Sequence, residues 1–157
     1  MVGIVGLVEK ILAVNPTAML SGTLALNLQG IKTLREPSDI DIFVPFGETF
    51  TKPDGTTANT DSPSGGEEDE FTRTRITVDK IAVDIFISNE EEFPSLPSVM
   101  RNGIKCVRYD EIIKFKVAHY FTGKSASRYK HKDDVIGILV ANSKTIDELQ
   151  KAEETAE

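Results

Sequence analysis

Two apolar segments of this chain carry aspartate at positions where a folded strand would ordinarily bury a hydrophobic residue. The first reads SDIDIFVP over residues 38–45 and holds Asp39 and Asp41, and the second reads VDIFI over residues 83–87 and holds Asp84. An ionised carboxylate that is buried without a partner costs so much free energy that it takes up a proton instead. Any fold of this chain must therefore bring positive charge to these two strands.

The two-residue period of a strand places these carboxylates opposite the apolar faces of their strands. The predicted apolar faces consist of Ile40, Ile42 and Val44 in the first strand and Ile81, Val83, Ile85 and Ile87 in the second. If the strands are neighbours, Asp39, Asp41 and Asp84 surround a space suited to Mg²⁺, which takes oxygen ligands and keeps water or phosphate in its shell. The alternative is structural: Asp39 caps a turn, Asp41 pairs with a Lys or Arg, and Asp84 faces solvent.

Residues 20–26, LSGTLAL, predict a strand that runs through Ser21 and Gly22 into the start of a helix. Gly22 lets the backbone approach a ligand closely, and Thr23 adds a hydroxyl. Free backbone N–H groups and the positive end of the helix dipole would meet there, which favours phosphate binding. A simple turn followed by a helix cap is the alternative for this segment.

Hydrophobic periodicity predicts an α+β (α/β) fold, with a small mixed β-sheet flanked by helices and a C-terminal helical segment. The predicted helices cover residues 4–14, 22–30, 109–122, 128–141 and 145–154, the last opened by a capping box of Thr145 and Glu148. The predicted strands cover residues 17–21, 39–45, 71–79, 80–88 and 104–107, with a hairpin turning at Asp79-Lys80. We expect residues 1–108 to form the core and residues 109–157 to pack on it within the same domain.

The charge distribution limits the partners of the chain. A formal net charge of −7 argues against coating nucleic acid through bulk electrostatics. The charge is uneven, because residues 61–70 hold five acids and no base, whereas residues 101–132 hold nine Lys or Arg and two acids. An acidic chain of this kind can still offer one basic face to a phosphate-bearing ligand, and a solvated helix surface is the alternative. Residues 51–70 contain almost nothing to bury, which predicts a flexible acidic loop.

The sequence predicts a cytoplasmic protein with no membrane partner. No apolar run is long enough to span a bilayer. Glu9 and Lys10 interrupt the apolar N-terminal stretch, which indicates an amphipathic helix and not a signal peptide. The one cysteine, Cys106, lies in a predicted strand and excludes an internal disulfide.

The segment LSGTLALNLQGIKTLREPSDIDIFV, followed by VDIFI, resembles the nucleotidyltransferase superfamily that includes DNA polymerase beta. The signature of that superfamily is an apolar residue with Gly and Ser, a gap, an Asp-apolar-Asp pair and a later apolar-Asp-apolar strand. Within it, the chain is similar to the small bacterial branch of abortive-infection, toxin-type and minimal nucleotidyltransferases. The positions that match this branch are Gly22, Ala25, Gly30, Arg35 and Ser38.

Two later segments, IIKFKVAHYF and KHKDDVIGIL, resemble a helix lysine and a Lys/Arg-rich motif of the same branch. Lys116, Lys130 and Asp134 are the matching positions, and Asp133 is the alternative to Asp134 as the motif acid. The first motif departs mildly from the family, because Ser21-Gly22-Thr23 stands where the family has a double Gly followed by Ser.

The resemblance implies transfer of a nucleoside monophosphate from an NTP to a hydroxyl acceptor, with pyrophosphate leaving and with Mg²⁺ or Mn²⁺ as the metal. Asp39 and Asp41 would hold the metal against the triphosphate, and Asp84 would join a second metal or help to deprotonate the acceptor. The nucleotide and its phosphates would be bound by Ser21, Gly22, Thr23, Arg35, Ser38, Lys116, Lys130 and Asp134. The acceptor would be RNA such as a tRNA, a protein or a small molecule.

Two other functions fit the same resemblance. The first is a binding or assembly protein that keeps the nucleotidyltransferase fold without turnover, such as a virus-associated component. The second is the toxin half of a two-gene system, which would have a cognate antitoxin as its partner. The presence of Asp39, Asp41 and Asp84 favours an active enzyme over a decayed one.

Overall fold

A mixed sheet and a set of helices make up the computed structural model, which describes residues 2–33, 36–57, 71–88, 96–122 and 125–156. The side chains described exclude residues 2, 71–72, 118–122, 125–134 and 153–156. The helices in the described residues are α1 (Val2–Ala13), α2 (Gly22–Leu28), α3 (Tyr109–Thr122) and α4 (Ser125–Ala156). The strands in those residues are β1 (Met19–Ser21), β2 (Ile40–Val44), β3 (Phe71–Val78), β4 (Ile81–Ser88), β5 (Ser98–Arg101) and β6 (Ile104–Val107). The predicted α+β class with a mixed sheet is confirmed.

The sheet has the strand order β3-β4-β2-β1-β6-β5. Strand β2 pairs in parallel with β4, and β1 pairs antiparallel with β2 and in parallel with β6. The two outer pairs, β3 with β4 and β5 with β6, are antiparallel hairpins. The two aspartate-bearing strands are therefore neighbours in the interior of the sheet, as the sequence predicts.

The predicted apolar face of β2 is fully buried. Ile40, Ile42 and Val44 are each exposed by 1% or less, and Val83 and Ile85 of β4 are exposed by 0%. Burial of such side chains contributes about 1.5 to 3 kcal/mol each, which fixes the register of both strands because a slip of one residue would expose them all. The aspartates are thereby held on the opposite face of the sheet.

Both hairpins turn through residues with positive φ. The β3–β4 turn lies at Asp79 (φ 50°) and Lys80 (φ 68°), where the sequence predicts it. The β5–β6 turn lies at Asn102 (φ 53°) and Gly103 (φ 78°). Strand β5 was not among the predicted strands, although Asn-Gly between extended residues is the strongest short-range signal for a two-residue hairpin.

A single side chain explains where the C-terminal helical segment changes direction. The sequence predicts separate helices over residues 128–141 and 145–154, but α4 runs across both, with a non-helical residue at Asn142 (φ −124°, ψ 16°). The Nδ2 of Asn142 donates to the carbonyls of Ile138 (2.8 Å) and Lys32 (2.7 Å). Its Oδ1 accepts from the backbone N–H of Lys32 at 2.7 Å. The break therefore lies at Asn142 and not at the predicted Thr145 cap, because Asn142 bonds to the chain that follows α2.

A second amide side chain holds the start of the predicted loop over residues 51–70. Asn15 donates through Nδ2 to the carbonyl of Thr51 (2.7 Å) and accepts at Oδ1 from the N–H of Thr51 (2.8 Å). Thr51 and Thr57 also form an isolated antiparallel bridge. Residues 51–57 are thus an ordered turn, and residues 58–70 lie outside the described part of the chain.

Over the described residues, every helix is too short or too polar to cross a bilayer.

Candidate functional site

Asp41 and Asp84 lie directly opposite each other on the parallel strands β2 and β4. Asp84 is buried, with 7% of its surface exposed, so it does not face solvent as the structural alternative requires. Asp41 is partly buried. Neighbouring parallel strands are about 5 Å apart, and both side chains leave the same face of the sheet. The predicted convergence of these two acids is present.

The backbone at Gly22 closes one side of Asp41. Gly22 begins α2 with φ +69°, and a Cβ atom placed on it would overlap Oδ2 of Asp41 and lie 2.8 Å from its Cγ. Ser21 pairs with Asp41 across β1 and β2, so the predicted Ser-Gly-Thr segment borders the acids. The side chain of Ser21 makes no cap hydrogen bond to α2. Only glycine fits at position 22, because any side chain there would displace the carboxylate.

The pKa of Asp41 is shifted by its burial and by the charges around it. Its pKa is raised from 3.8 to about 6, first by burial and then by the adjacent carboxylate of Asp84. Lys116 opposes this rise in the pKa, Asp39 adds to it, and Arg73 opposes it. Burial and the neighbouring carboxylates therefore outweigh the basic residues in setting the pKa of Asp41.

Two arginines on β3 that the sequence analysis did not include also belong to the site. Arg75 pairs with Asp84 in the register of β3 and β4, and its Nε lies 3.7 Å from Oδ1 of Asp84. The Nη2 of Arg73 lies 3.7 Å from the same oxygen. The predicted turn at Asp79-Lys80 contains the signal, because counting outward from a two-residue turn places residue 75 opposite residue 84.

Asp39 lies just before β2 and takes a different partner from Asp41. Its Oδ2 accepts a hydrogen bond of 2.9 Å from Nη2 of Arg75, and both side chains are about two-fifths exposed, at 42% and 43%. Asp39 thus forms the ion pair that the structural alternative assigned to Asp41. The third predicted acid is held by Arg75 at the edge of the Asp41–Asp84 pair.

Helix α3 brings the predicted lysine to the acids. Phe115 packs edge-to-face on Phe86 of β4, with ring centroids 5.7 Å apart and an interplanar angle of 85°. Phe86 shares a sheet face with Asp84, so this contact fixes α3 over the acidic face. Lys116 follows Phe115 directly, and its positive charge lowers the pKa of Asp41. Lys116 therefore lies close enough to influence Asp41, and its predicted role in neutralising phosphate charge stays a prediction.

The remaining predicted residues divide into two groups. Thr23 lies in the first turn of α2 and is partly buried, and Ser38 is exposed just ahead of Asp39. Arg35 and the side chains of Lys130 and Asp134 lie outside the described part of the chain. Their predicted contribution to nucleotide binding stays a prediction.

The donor set fits a divalent cation at the acid pair. In the described residues, no group of three or more His, Cys, Asp or Glu side chains is arranged to hold a metal ion, and Asp39 is paired with Arg75. Mg²⁺, however, is usually bound through one or two carboxylates plus water and substrate phosphate. Oδ1 of Asp84 is buried and makes no hydrogen bond within the described structure, which leaves a lone pair for a cation.

Comparison with protein-family models, with curated proteins and with solved structures found no match to this chain.

Proposed function

We propose that this protein is a nucleotidyltransferase that depends on Mg²⁺ or Mn²⁺ and has the polymerase-beta-like fold. It would transfer a nucleoside monophosphate from an NTP to a hydroxyl group. The observation that supports the proposal best is the side-by-side placement of Asp41 and Asp84 on β2 and β4, with Gly22 packed against Asp41. This arrangement joins the three sequence motifs of the resemblance in one place.

The adjacent carboxylates of Asp41 and Asp84 lower the stability of the folded protein when both are ionised and no ligand compensates their charge. Burial and like charge together raise the pKa of Asp41, so ionising both acids destabilises the folded protein. A divalent cation bound to both carboxylates would relieve this repulsion and would screen the charge of a triphosphate. Apolar residues of similar volume could pack at these interior positions, so the two adjacent acids favour a functional role over a purely structural one.

The protein's own groups then have distinct roles. Asp41 and Asp84 would hold the cation, and the Lys116 ammonium would offset phosphate charge. The absent side chain at Gly22 would let the leaving phosphates approach the backbone. The acceptor oxygen forms a bond to the α-phosphorus as the bond from that phosphorus to pyrophosphate breaks. The acceptor proton passes to a carboxylate oxygen of the site that is not bound to the cation.

Turnover with labelled substrate tests the proposal. The protein is incubated with each α-labelled NTP, Mg²⁺ and a cell extract, and label is followed in RNA, protein and small-molecule fractions. Asp41→Ala and Asp84→Asn should each lower transfer by about 100-fold or more, because each removes a group that stabilises transition-state charge. Asp147→Asn is the matched control, since Asp147 is exposed on α4.

Two results would contradict the proposal. One is transfer that persists undiminished in Asp41→Ala. The other is Mg²⁺-dependent NTP binding in a calorimeter with no labelled product in any fraction, which would support the alternative of a nucleotide-binding protein without turnover.

A further inference from the structure

We propose that Arg75 is a built-in competitor of the divalent cation: its guanidinium is hydrogen-bonded to Asp39 and lies beside Asp84, and it must release Asp39 before the three acids can bind metal together. This inference rests on the metal site of the proposed function. It concerns metal binding alone, not turnover.

The guanidinium of Arg75 spans two acids from different strands. Its Nη2 donates to Oδ2 of Asp39 at 2.9 Å, and its Nε lies 3.7 Å from Oδ1 of Asp84. These two carboxylates are the outer members of the predicted three-acid site. Arg75 thus places one positive charge between the groups that a cation would have to bridge.

A carboxylate oxygen that is bonded to a guanidinium is a poor metal ligand, because the lone pair and the charge are already engaged. Asp39 therefore contributes fully to a metal only after its bond to Arg75 breaks. The pair is about two-fifths exposed on both sides, so this bond is weakened by solvent and is of modest strength. Strand β3 is also an edge strand of the sheet.

Arg73 gives a matched comparison on the same strand. It has the same side chain, a similar exposure of 40% and the same 3.7 Å distance to Oδ1 of Asp84. The structure records no ion pair between Arg73 and Asp39 in the described residues. Loss of Arg73 removes equal charge from the site but does not release Asp39.

The test measures Mn²⁺ affinity by calorimetry without nucleotide. Arg75→Gln should bind Mn²⁺ about fivefold more tightly than the wild type, which corresponds to loss of one exposed ion pair. Arg73→Gln should gain about twofold at most, because only general charge changes. Arg101→Gln should leave the affinity unchanged, since Arg101 lies on β5 and donates to the carbonyl of Met100.

Thermal unfolding supplies a second readout that does not depend on activity. Without metal, Arg75→Gln should melt below the wild type, because Asp39 and Asp84 lose their counterion. With saturating Mn²⁺ the difference should close. If Arg75→Gln does not fold, Arg75→Lys replaces it: one ammonium does not reach both acids as a guanidinium does, so Mn²⁺ affinity should rise by a smaller factor.

Three outcomes would overturn the inference: unchanged or weaker Mn²⁺ binding in the Arg75 variant, an equal gain in Arg73→Gln, and no Mn²⁺ binding by any variant. The result also separates this inference from the proposed function. If Arg75→Gln binds Mn²⁺ more tightly but the protein never transfers nucleotide, the competition by Arg75 is supported and the proposed enzyme activity is contradicted. If Mn²⁺ affinity is unchanged and transfer is normal, the competition is contradicted and the enzyme activity is supported.

Discussion

A side chain at Gly22 and the carboxylate of Asp41 cannot occupy their present positions together. A Cβ atom at position 22 would overlap Oδ2 of Asp41, and the φ of +69° at Gly22 is itself unfavourable for any residue with a side chain. The glycine of the first sequence motif and the second acid of the aspartate pair are therefore fitted to each other. A substitution at either position would therefore alter the packing of the other residue.

Gly22→Ala should weaken Mn²⁺ binding by about tenfold or more, because the new Cβ atom would displace the Asp41 carboxylate from its present position opposite Asp84. Gly30→Ala is the matched control, since Gly30 has φ +85° but open space around its Cβ position. Both substitutions should lower the unfolding free energy by about 1 kcal/mol through the positive φ. Calorimetry with Mn²⁺ and urea unfolding provide the measurements, and equal Mn²⁺ affinity in the two variants would contradict the fit of Gly22 to Asp41.

The unfolding free energy should fall as the pH rises from about 4 to about 6 in metal-free buffer. The pKa of Asp41 is 3.8 as a free group and about 6 when folded, so over this range the unfolded chain has already released a proton that the folded protein keeps. The loss is up to about 3 kcal/mol and levels off above pH 6.

Asp41→Asn should abolish this pH dependence and should be more stable than the wild type at pH 8, because no charge is then buried beside Asp84. Urea unfolding across the pH series measures both effects. Asp147→Asn should follow the wild-type curve, and an unchanged slope in Asp41→Asn would assign the pH dependence to another group.

In Lys116→Gln, the unfolding free energy should continue to fall to a higher pH than in the wild type. The Lys116 ammonium lowers the pKa of Asp41, so its loss raises that pKa further. Lys114→Gln is the control, because Lys114 is exposed on the same helix and pairs with Glu111 at 3.2 Å. Coincident curves for the two lysine variants would show that Lys116 has no special contact with the site.

Asn142→Ala should lower the unfolding free energy by about 3 kcal/mol. The amide bonds both backbone groups of Lys32 and the carbonyl of Ile138, and its loss leaves partly buried donors and acceptors unpaired. Ser143→Ala, one residue away and exposed, should change stability by less than about 0.5 kcal/mol. Urea unfolding at constant pH decides the matter, and equal effects of the two substitutions would show that the amide does not stabilise the fold.

The acid pair could be predicted from sequence because it depends on strand alternation, which needs no knowledge of the rest of the fold. The pattern Ile40, Ile42, Val44 fixes which way Asp41 points, and the same holds for Asp84 in its strand. The function inferred from these residues stays a prediction, since no comparison bears on it.

The features that the sequence analysis missed differ in how far apart their partners lie in the chain. Arg75 could have been found, because counting outward from the predicted turn at Asp79-Lys80 places it opposite Asp84. The break at Asn142 depends on Lys32, 110 positions away. The β5–β6 hairpin is different, because Asn102-Gly103 was a local signal that could have been used.

The hydrogen-bond ladder between β2 and β4 sets the spacing of Asp41 and Asp84 independently of the chain that links the two strands. The two acids are therefore positioned by the sheet itself and not by a loop.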